Sequence, residues 1–204
     1  GINWSFVGSQ ITGISISLFS TGNTIYVGSN RGIFKSTNRG TSWDSIVVNT
    51  GGYYLEKLLV LGEHILRITN GSLYVSHNNG ATWESPVPIQ GSFRTGLAAI
   101  GNTLFLSTNQ GVSTSINFGA NWTSVNTGLP APGNGWTNAI AASGTTLYAG
   151  VEGQGMYYTT NNGLIWGPIN TGLTDKKIYS IGATGTNVYA GTTSGIYSSS
   201  NSGF

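Results

Sequence analysis

The sequence predicts an all-β chain built from five copies of a four-stranded antiparallel unit of about forty residues. A tryptophan-ended phrase recurs five times along the chain, and short apolar runs separated by turn residues lie between its copies. Glycine contributes 32 of the 204 residues, while charged residues make up 7% and aromatic residues 11%. Because disordered chains are poor in aromatic residues, frequent turns between short strands explain this composition better than disorder.

The clearest repeat is an eight-residue phrase that ends in tryptophan. Its full copies read STNRGTSW, SHNNGATW, SINFGANW and TTNNGLIW, and the chain opens with the last half of a further copy, GINW. The five tryptophans follow one another at spacings of 39, 40, 39 and 44 residues: Trp4, Trp43, Trp83, Trp122 and Trp166. The asparagine can bond to backbone two residues on, and the glycine supplies a positive φ. Each phrase therefore predicts a tight turn that leads into a strand.

Three further strands, A, B and C, are predicted in each unit before the turn, and the tryptophan begins the outer strand D. Strand A is predicted at 14–18, 58–61, 97–100, 139–142 and 178–181. Strand B is predicted at 24–28, 103–107, 146–150 and 187–191, and strand C at 32–34, 155–157 and 195–197. Such short runs bounded by turn residues are typical of strands and not of helices.

The phrase S-x-N-x-G-x-x-W resembles the Asp-box, or BNR repeat, of sialidase-like β-propellers. That superfamily includes sialidases, xyloglucan-cleaving enzymes, sortilin-type receptors and a photosystem assembly factor, and the resemblance covers essentially the whole chain. This chain departs from it in having asparagine where the family most often has aspartate, which keeps the turn and removes the charge. Because the boxes of the family lie on the turn between strands C and D, far from the ligand face, the resemblance implies the fold and not an activity.

The resemblance and the repeat count together predict a five-bladed β-propeller of four-stranded antiparallel blades in a single domain, 1–204. The repeats are predicted at approximately 9–48, 49–88, 89–127, 128–171 and 172–204, with an N-terminal strand at 1–8. The chain ends in the front half of a phrase and begins with the back half, so we expect the strand at 4–7 to complete the last blade and remove exposed edges. The alternatives are a segment cut from a larger propeller and two copies that combine into one larger ring.

Charge and hydropathy exclude two classes of partner. Eight basic and six acidic residues give a formal net charge of +2, and they are spread along the chain. Nucleic-acid binding needs a clustered basic face, so no nucleic acid is expected. No run of eighteen apolar residues exists, so no membrane span is expected either. The sequence leaves the oligomeric state open.

No cofactor and no metal site are predicted. The chain has no cysteine, which excludes disulfides and thiolate ligands. His64 and His77 are single residues without a metal-binding spacing, and His77, in a turn phrase, is expected to be exposed. The neutral surface and the family resemblance favour a secreted or extracellular bacterial protein, and the chain opens at Gly1 without an apolar leader, which fits a mature or excised segment.

Candidate binding residues lie in the loops that join D to A and B to C, which are expected on the face opposite the turn phrases. The sequence departs most from its repeat there, and Trp136 is the one tryptophan outside the phrases. The alternative is that these loops vary because they tolerate change, with charges that serve solubility. The candidates, which include one strand residue, are Tyr53, Tyr54, Arg67, Arg94, Trp136, Glu152 and Gln154.

Arg67 is a charged residue at a strand B position that is apolar in the sister units. A charge at such a position usually needs a partner, and Glu56, Glu63 or Glu152 are candidates for it. One interpretation is an arginine that reaches the surface along its apolar stem. The other places it near the central channel, in contact with an anion or with sugar hydroxyl groups.

The function predicted first is recognition of carbohydrate without catalysis, because exposed aromatic rings such as Trp136 can stack on sugars. A scaffold that binds a protein ligand through the same loops is the alternative. Glycoside hydrolysis is less expected, since it needs two carboxylates about 5–10 Å apart. Only Glu56, Glu152 and Asp175 lie on the loop face, each in a different unit, and sialidases also need an arginine triad on that face.

Overall fold

A computed structural model describes residues 5–48, 55–69, 71–89, 96–131 and 136–204 of the chain. These residues form five antiparallel sheets and no helix. Every sheet is made of strands that follow one another directly in the sequence, each hydrogen-bonded to the next. Five such consecutive sheets confirm the predicted class, a five-bladed β-propeller, and each sheet is one blade.

The strands begin and end close to the predicted positions. Blade 1 contains β1 (Ser15–Thr21), β2 (Thr24–Ser29), β3 (Gly32–Ser36) and β4 (Asp44–Val48). Blade 2 contains β5 (Leu55–Leu61), β6 (His64–Thr69), β7 (Ser72–Ser76) and β8 (Val87–Pro88). Blade 3 contains β9 (Gly96–Ile100), β10 (Thr103–Thr108), β11 (Gly111–Ser115) and β12 (Thr123–Ser124). Blade 4 contains β13 (Thr137–Ser143), β14 (Thr146–Val151), β15 (Gly155–Thr159) and β16 (Gly167–Pro168), and blade 5 contains β17 (Ile178–Thr184), β18 (Asn187–Thr192) and β19 (Gly195–Ser199).

The chain consists of two compact units, Gly1–Ile89 and Gln90–Phe204. In the first unit, Tyr26 and Ile33 of blade 1 pack with Leu58 and Ile65 of blade 2 in one buried cluster. In the second unit, two clusters join blade 3 to blade 4 and blade 4 to blade 5. Apolar side chains between the faces of successive blades therefore form the core. No helix in the described part of the chain is long and apolar enough to cross a bilayer.

The turn phrase has the same hydrogen bonds in every full copy. In blade 1, the Ser36 hydroxyl donates to Asn38 Oδ1 (2.9 Å) and accepts from the backbone nitrogen of Gly40 (2.8 Å). Asn38 Oδ1 also accepts from the backbone nitrogen of Ser42 (2.9 Å), four residues on rather than the predicted two. The corresponding bonds recur in the phrases that end at residues 83, 122 and 166. A shared set of local bonds thus fixes the start of each outer strand.

The residue before the phrase glycine also adopts a positive φ, which the sequence did not predict. Its φ is 58° at Arg39, 53° at Phe118 and 62° at Ser202, and the glycine that follows has a φ of 84–91°. Left-handed backbone is unfavourable for such side chains. The serine and asparagine bonds of the phrase therefore stabilise two consecutive left-handed residues.

Blade 5 has three strands among the described residues. Residues 5–8 of the predicted N-terminal strand belong to no strand, and Trp4 lies outside the described residues. Completion of blade 5 by the N-terminal strand therefore stays a prediction.

An open cavity of about 450 Å³ lies between blade 4 and blade 5 and is lined by polar residues of the turn at 198–201 and by a set of apolar or aromatic side chains, among them Met156, Ile169, Leu173, Val188 and Tyr197. One blade earlier, the repeat-equivalent positions surround the buried indole of Trp166. These positions are Val112, Val125, Leu129, Leu147 and Tyr157. The cavity is therefore the place that a phrase tryptophan occupies in the preceding blade.

Candidate functional site

Several connections between strands meet at one end of blades 4 and 5, inside the second unit. Trp136 immediately precedes β13, and Glu152 and Gln154 lie in the loop between β14 and β15. Asp175 and Lys176 precede β17. We call these five residues, together with Asn138 of β13, the loop cluster.

Backbone hydrogen bonds tie the β14–β15 loop to the segments on both of its sides. The backbone nitrogen of Glu152 donates to the carbonyl of Trp136 at 2.8 Å. The backbone nitrogens of Gly153 and Gly155 both donate to the carbonyl of Lys176, at 3.0 and 3.2 Å. The Gln154 carbonyl accepts from Asn170 Nδ2 at 3.3 Å. Since both neighbours hold this loop by its backbone, Glu152 is presented from a fixed position.

Asn138 and Glu152 form the polar centre of the loop cluster. Asn138 Nδ2 donates to Glu152 Oε2 at 3.3 Å and to the carbonyl of Ile178 at 3.4 Å. Asn138 is 7% exposed, and its buried Oδ1 accepts no hydrogen bond from the described residues. A buried acceptor without a donor is unfavourable by about 1–3 kcal/mol. Because Oδ1 is closed to solvent, the half-buried Glu152 is the member of this pair that can meet a ligand.

A β-bulge places Asn138 in this position. The register of β13 against β14 shifts between Thr137 and Ala139, so Asn138 is the extra residue. The same shift occurs around Glu56 in β5 and around Tyr179 in β17. Bulges re-aim a side chain that regular alternation would point to the other face of the sheet. Asn138 is not among the residues predicted from the sequence, although a polar residue at the start of an apolar strand was a usable signal.

Trp136, whose carbonyl accepts a hydrogen bond from the backbone of Glu152, supplies an accessible aromatic ring to the loop cluster. It is 41% exposed, whereas Trp166 of the turn phrase in the same blade is 3% exposed. A large aromatic surface left in contact with water next to fixed polar groups is typical of ligand-binding sites.

Asp175 holds a turn together rather than facing outward as a free carboxylate. Its Oδ2 accepts from the Thr193 hydroxyl (2.6 Å) and from the backbone nitrogen of Ser194 (2.8 Å). Its Oδ1 accepts from the backbone nitrogen of Lys177 at 3.0 Å. These bonds, first that of Thr193 and then that of Lys177, lower the pKa of Asp175. Asp175 is therefore ionised at neutral pH, and both of its carboxylate oxygens are hydrogen-bonded to neighbouring residues.

Arg67 lies in the first unit and is 9% exposed, so the interpretation in which its side chain reaches the surface is wrong. Its guanidinium carbon lies 4.6 Å from the centre of the Tyr74 ring and 4.9 Å from that of Trp83. Desolvation by burial lowers the pKa of Arg67. The contacts are cation–π interactions with two rings of its own blade, and a ligand-binding role for Arg67 stays a prediction.

The remaining predicted residues are only partly described. Tyr53, Tyr54 and Arg94 lie outside the described residues, so the structure does not place them beside the loop cluster. Trp136, Glu152 and Gln154 are brought together by the β14–β15 loop. Glu56 is part of β5, in the first unit.

Comparisons with known proteins identify the fold. No family model matches the chain, and no curated protein matches it. A GH74 enzyme from Niastella koreensis is similar in structure, with 20% identity, a TM-score of 0.73, and coverage of 95% of this chain and 31% of that one. YCF48 bound to D1 peptide matches with 19% identity, a TM-score of 0.66, and coverage of 92% and 66%. The extracellular domain of a putative one component system from B. thetaiotaomicron matches with 18% identity, a TM-score of 0.66, and coverage of 91% and 27%.

The likeness to these solved structures shows the fold of the chain and no activity. This chain spans about a third of the length of the Niastella koreensis enzyme. At 20% identity or less, shared architecture does not carry activity from one protein to another. The chain is a β-propeller.

Proposed function

We propose that the chain is a non-catalytic ligand-binding propeller that recognises carbohydrate through the loop cluster. The observation that carries the proposal is the fixed pair of Asn138 and Glu152, joined through the backbone of Glu152 to the exposed Trp136. A carboxylate accepts hydrogen bonds from sugar hydroxyl groups, Asn138 holds that carboxylate in place, and an indole face packs on the apolar face of a sugar ring.

The carboxylates of the loop cluster support binding rather than hydrolysis. Glycosidases use one carboxyl group as a proton donor and a second as base or nucleophile. The pKa of Asp175 is lowered by its hydrogen bonds, and both of its oxygens accept bonds from its own turn, so it is a poor proton donor. Glu152 Oε2 accepts a hydrogen bond from Asn138 Nδ2, which holds this carboxyl group in place as an acceptor in the loop cluster.

A glycan array followed by calorimetry tests the proposal. We expect Trp136→Ala and Asn138→Ala each to weaken glycan binding at least tenfold, a difference of about 1.4 kcal/mol. Trp136→Phe retains an aromatic face and should lose less affinity. Leu164→Ala is the matched control, because Leu164 is an exposed apolar residue of the blade 4 turn phrase, at the other end of the blade. A folded wild-type chain that binds no glycan on a broad array would contradict the proposal.

Binding of a protein ligand through the same cluster is the second candidate function. The structure of YCF48 bound to D1 peptide supports it, because that similar propeller was solved with a peptide. Pull-down with the wild type and with Trp136→Ala distinguishes the two functions. A captured protein that is lost in the variant and that is not displaced by sugar favours the protein-binding function.

We also propose that the chain belongs to the Asp-box superfamily and acts outside the cell. The recurring bonds of the turn phrase support the first statement, since they give asparagine the structural place of the family aspartate. The likeness to an extracellular domain supports the second. Replacing Asn78 by aspartate should leave blade 2 folded if the phrase is an Asp-box turn, and a large loss of stability would argue against it.

A further inference from the structure

Two histidines of blade 2 face each other across the β6–β7 hairpin, within the first unit. His64 begins β6, and since Ile65 pairs with Ser76, His77 lies opposite His64. Their Nδ1 atoms are 2.8 Å apart, and the ring centres are 4.9 Å apart at an interplanar angle of 79°. The prediction that these histidines are single residues is therefore wrong, because the register of the hairpin pairs them.

Glu84 determines which nitrogen of His77 points at His64. Glu84 Oε1 lies 3.2 Å from His77 Nε2. The carboxylate accepts a hydrogen bond, so Nε2 carries the hydrogen, and the neutral ring presents the lone pair of Nδ1 to His64. A histidine that binds a metal usually donates its other N–H to a carboxylate in this way. Glu84 is thus an observation independent of the distance between the two rings.

Blade 2 alone has imidazoles at these two positions of the repeat. Both positions are small, hydroxylated or amide residues in the other blades, with one isoleucine. The counterparts of His64 are Thr24, Thr103, Thr146 and Asn187, and those of His77 are Thr37, Ile116, Thr160 and Ser200. Both histidines that depart from the repeat therefore belong to one cross-strand pair, and Glu84 lies against the ring of His77.

We propose that His64 and His77 form a two-nitrogen site for a divalent transition metal ion, Cu²⁺ or Ni²⁺. Two metal–nitrogen bonds of about 2.0 Å at right angles place the nitrogens about 2.8 Å apart, while a tetrahedral angle places them about 3.3 Å apart. The observed 2.8 Å matches the right angle of the tetragonal geometry that these ions prefer. Water completes the coordination, because no group of three or more His, Cys, Asp or Glu among the described residues could hold a metal ion.

The protons balance without a co-reactant. Between the neutral rings one Nδ1 donates and the other accepts, and Glu84 makes His77 the acceptor. On metal binding, the hydrogen on His64 Nδ1 leaves to water and His64 Nε2 takes one from water, so the ring stays neutral in its other tautomer. The side chain of His77 is 38% exposed, which leaves the pair open to an ion from solvent.

Calorimetric titration of the full chain with Cu²⁺ in a non-chelating buffer tests the site. We expect His64→Gln and His77→Gln each to weaken binding at least tenfold. Glu84→Gln should also weaken binding, although its amide oxygen can still accept the hydrogen bond from His77 Nε2. Electron paramagnetic resonance of the Cu²⁺ complex should show two imidazole nitrogens in the wild type and one in each histidine variant. Circular dichroism checks that each variant is folded.

Blade 3 provides a matched gain of function. Thr103 and Ile116 occupy the same cross-strand positions, so Thr103→His together with Ile116→His should add a second equivalent of bound Cu²⁺. Cu²⁺ binding that is equally tight in the wild type and in both single histidine variants belongs to another group, such as the terminal amine, and would overturn the proposal. Absence of measurable Cu²⁺ and Ni²⁺ binding by the folded wild type would overturn it as well.

Discussion

The carbonyl oxygen of Val7 accepts a 2.7 Å hydrogen bond from Nε1 of Trp43. The carbonyl of Val125 accepts a 2.7 Å bond from Nε1 of Trp166 in the same way. Val125 lies three residues after the phrase tryptophan of the preceding blade, and Val7 lies three residues after Trp4. The N-terminal segment thus contacts blade 1 as the outer strand of one blade contacts the next, which favours the predicted role of residues 4–7 as an outer strand.

Trp4→Ala is expected to destabilise the chain by about 3–5 kcal/mol, the usual loss for a buried large aromatic side chain. The residues that line the cavity between blades 4 and 5 are the repeat equivalents of those around Trp166 one blade earlier. If residues 4–7 close blade 5 as predicted, the indole of Trp4 is expected to fill this cavity. Urea unfolding measures the loss. Phe6→Ala is the control, because Phe6 is 85% exposed and its removal should change stability by less than about 0.5 kcal/mol. Equal small effects of both changes would contradict the closure of blade 5 by the N-terminus.

Gly80→Ala is expected to destabilise the chain far more than Gly62→Ala. Both glycines have a positive φ, of 90° and 60° respectively, so both substitutions carry backbone strain of about 1–2 kcal/mol. A Cβ on Gly80 would also lie 1.9 Å from Ile46 Cγ2 of blade 1, whereas one on Gly62 would meet nothing within 4 Å. The difference between the melting temperatures of the two variants measures the cost of the clash with Ile46, because the backbone strain is common to both. Similar melting temperatures would show that the blades separate easily at this contact.

The turn phrases and the strands between them were predictable because their causes are local. Serine, asparagine and glycine within six residues provide the hydrogen bonds and the positive φ of the turn. The left-handed conformation of Phe118 was not predictable, because that side chain does not favour it and the neighbouring bonds impose it.

The functional groups were less predictable because they depend on register. Asn138 is presented by a bulge, which breaks the alternation on which strand prediction rests. His64 and His77 are thirteen residues apart and meet only through the pairing of β6 with β7. It was predictable that Arg67, as a buried charge, would need partners. Glutamate was the expected partner, but two aromatic rings contact the guanidinium group.

Arg67→Ala is expected to lower the free energy of unfolding by about 2–4 kcal/mol, since it removes two cation–π contacts and leaves a void between Tyr74 and Trp83. Arg67→Met retains most of the volume and should lose less. Lysine lacks the planar group that stacks on rings, so Arg67→Lys should fall between the two. Denaturant unfolding gives the order. If Arg67 instead binds ligand, Arg67→Met would abolish glycan or peptide binding while stability stayed close to that of the wild type.

The bonds to Asp175 predict an acid-dependent loss of stability with a definite sign. Hydrogen bonds from Thr193 and from the backbone of Lys177 and Ser194 lower its pKa in the folded chain. The unfolded state therefore binds the proton more readily, so the contribution of Asp175 is complete above the ordinary aspartate pKa of about 3.9 and falls as pH decreases below it.

Asp175→Asn isolates this contribution. Asn keeps one acceptor oxygen and cannot be ionised, so the wild type should be more stable than the variant at pH 7 and lose that advantage progressively as the pH falls below about 4. Chemical unfolding at several pH values in low salt measures the difference, because salt screens an exposed carboxylate. Thr193→Val removes the strongest of the donors and should reduce the same advantage. A stability difference between wild type and Asp175→Asn that stays constant over this range would show that the turn does not depend on the charge of Asp175.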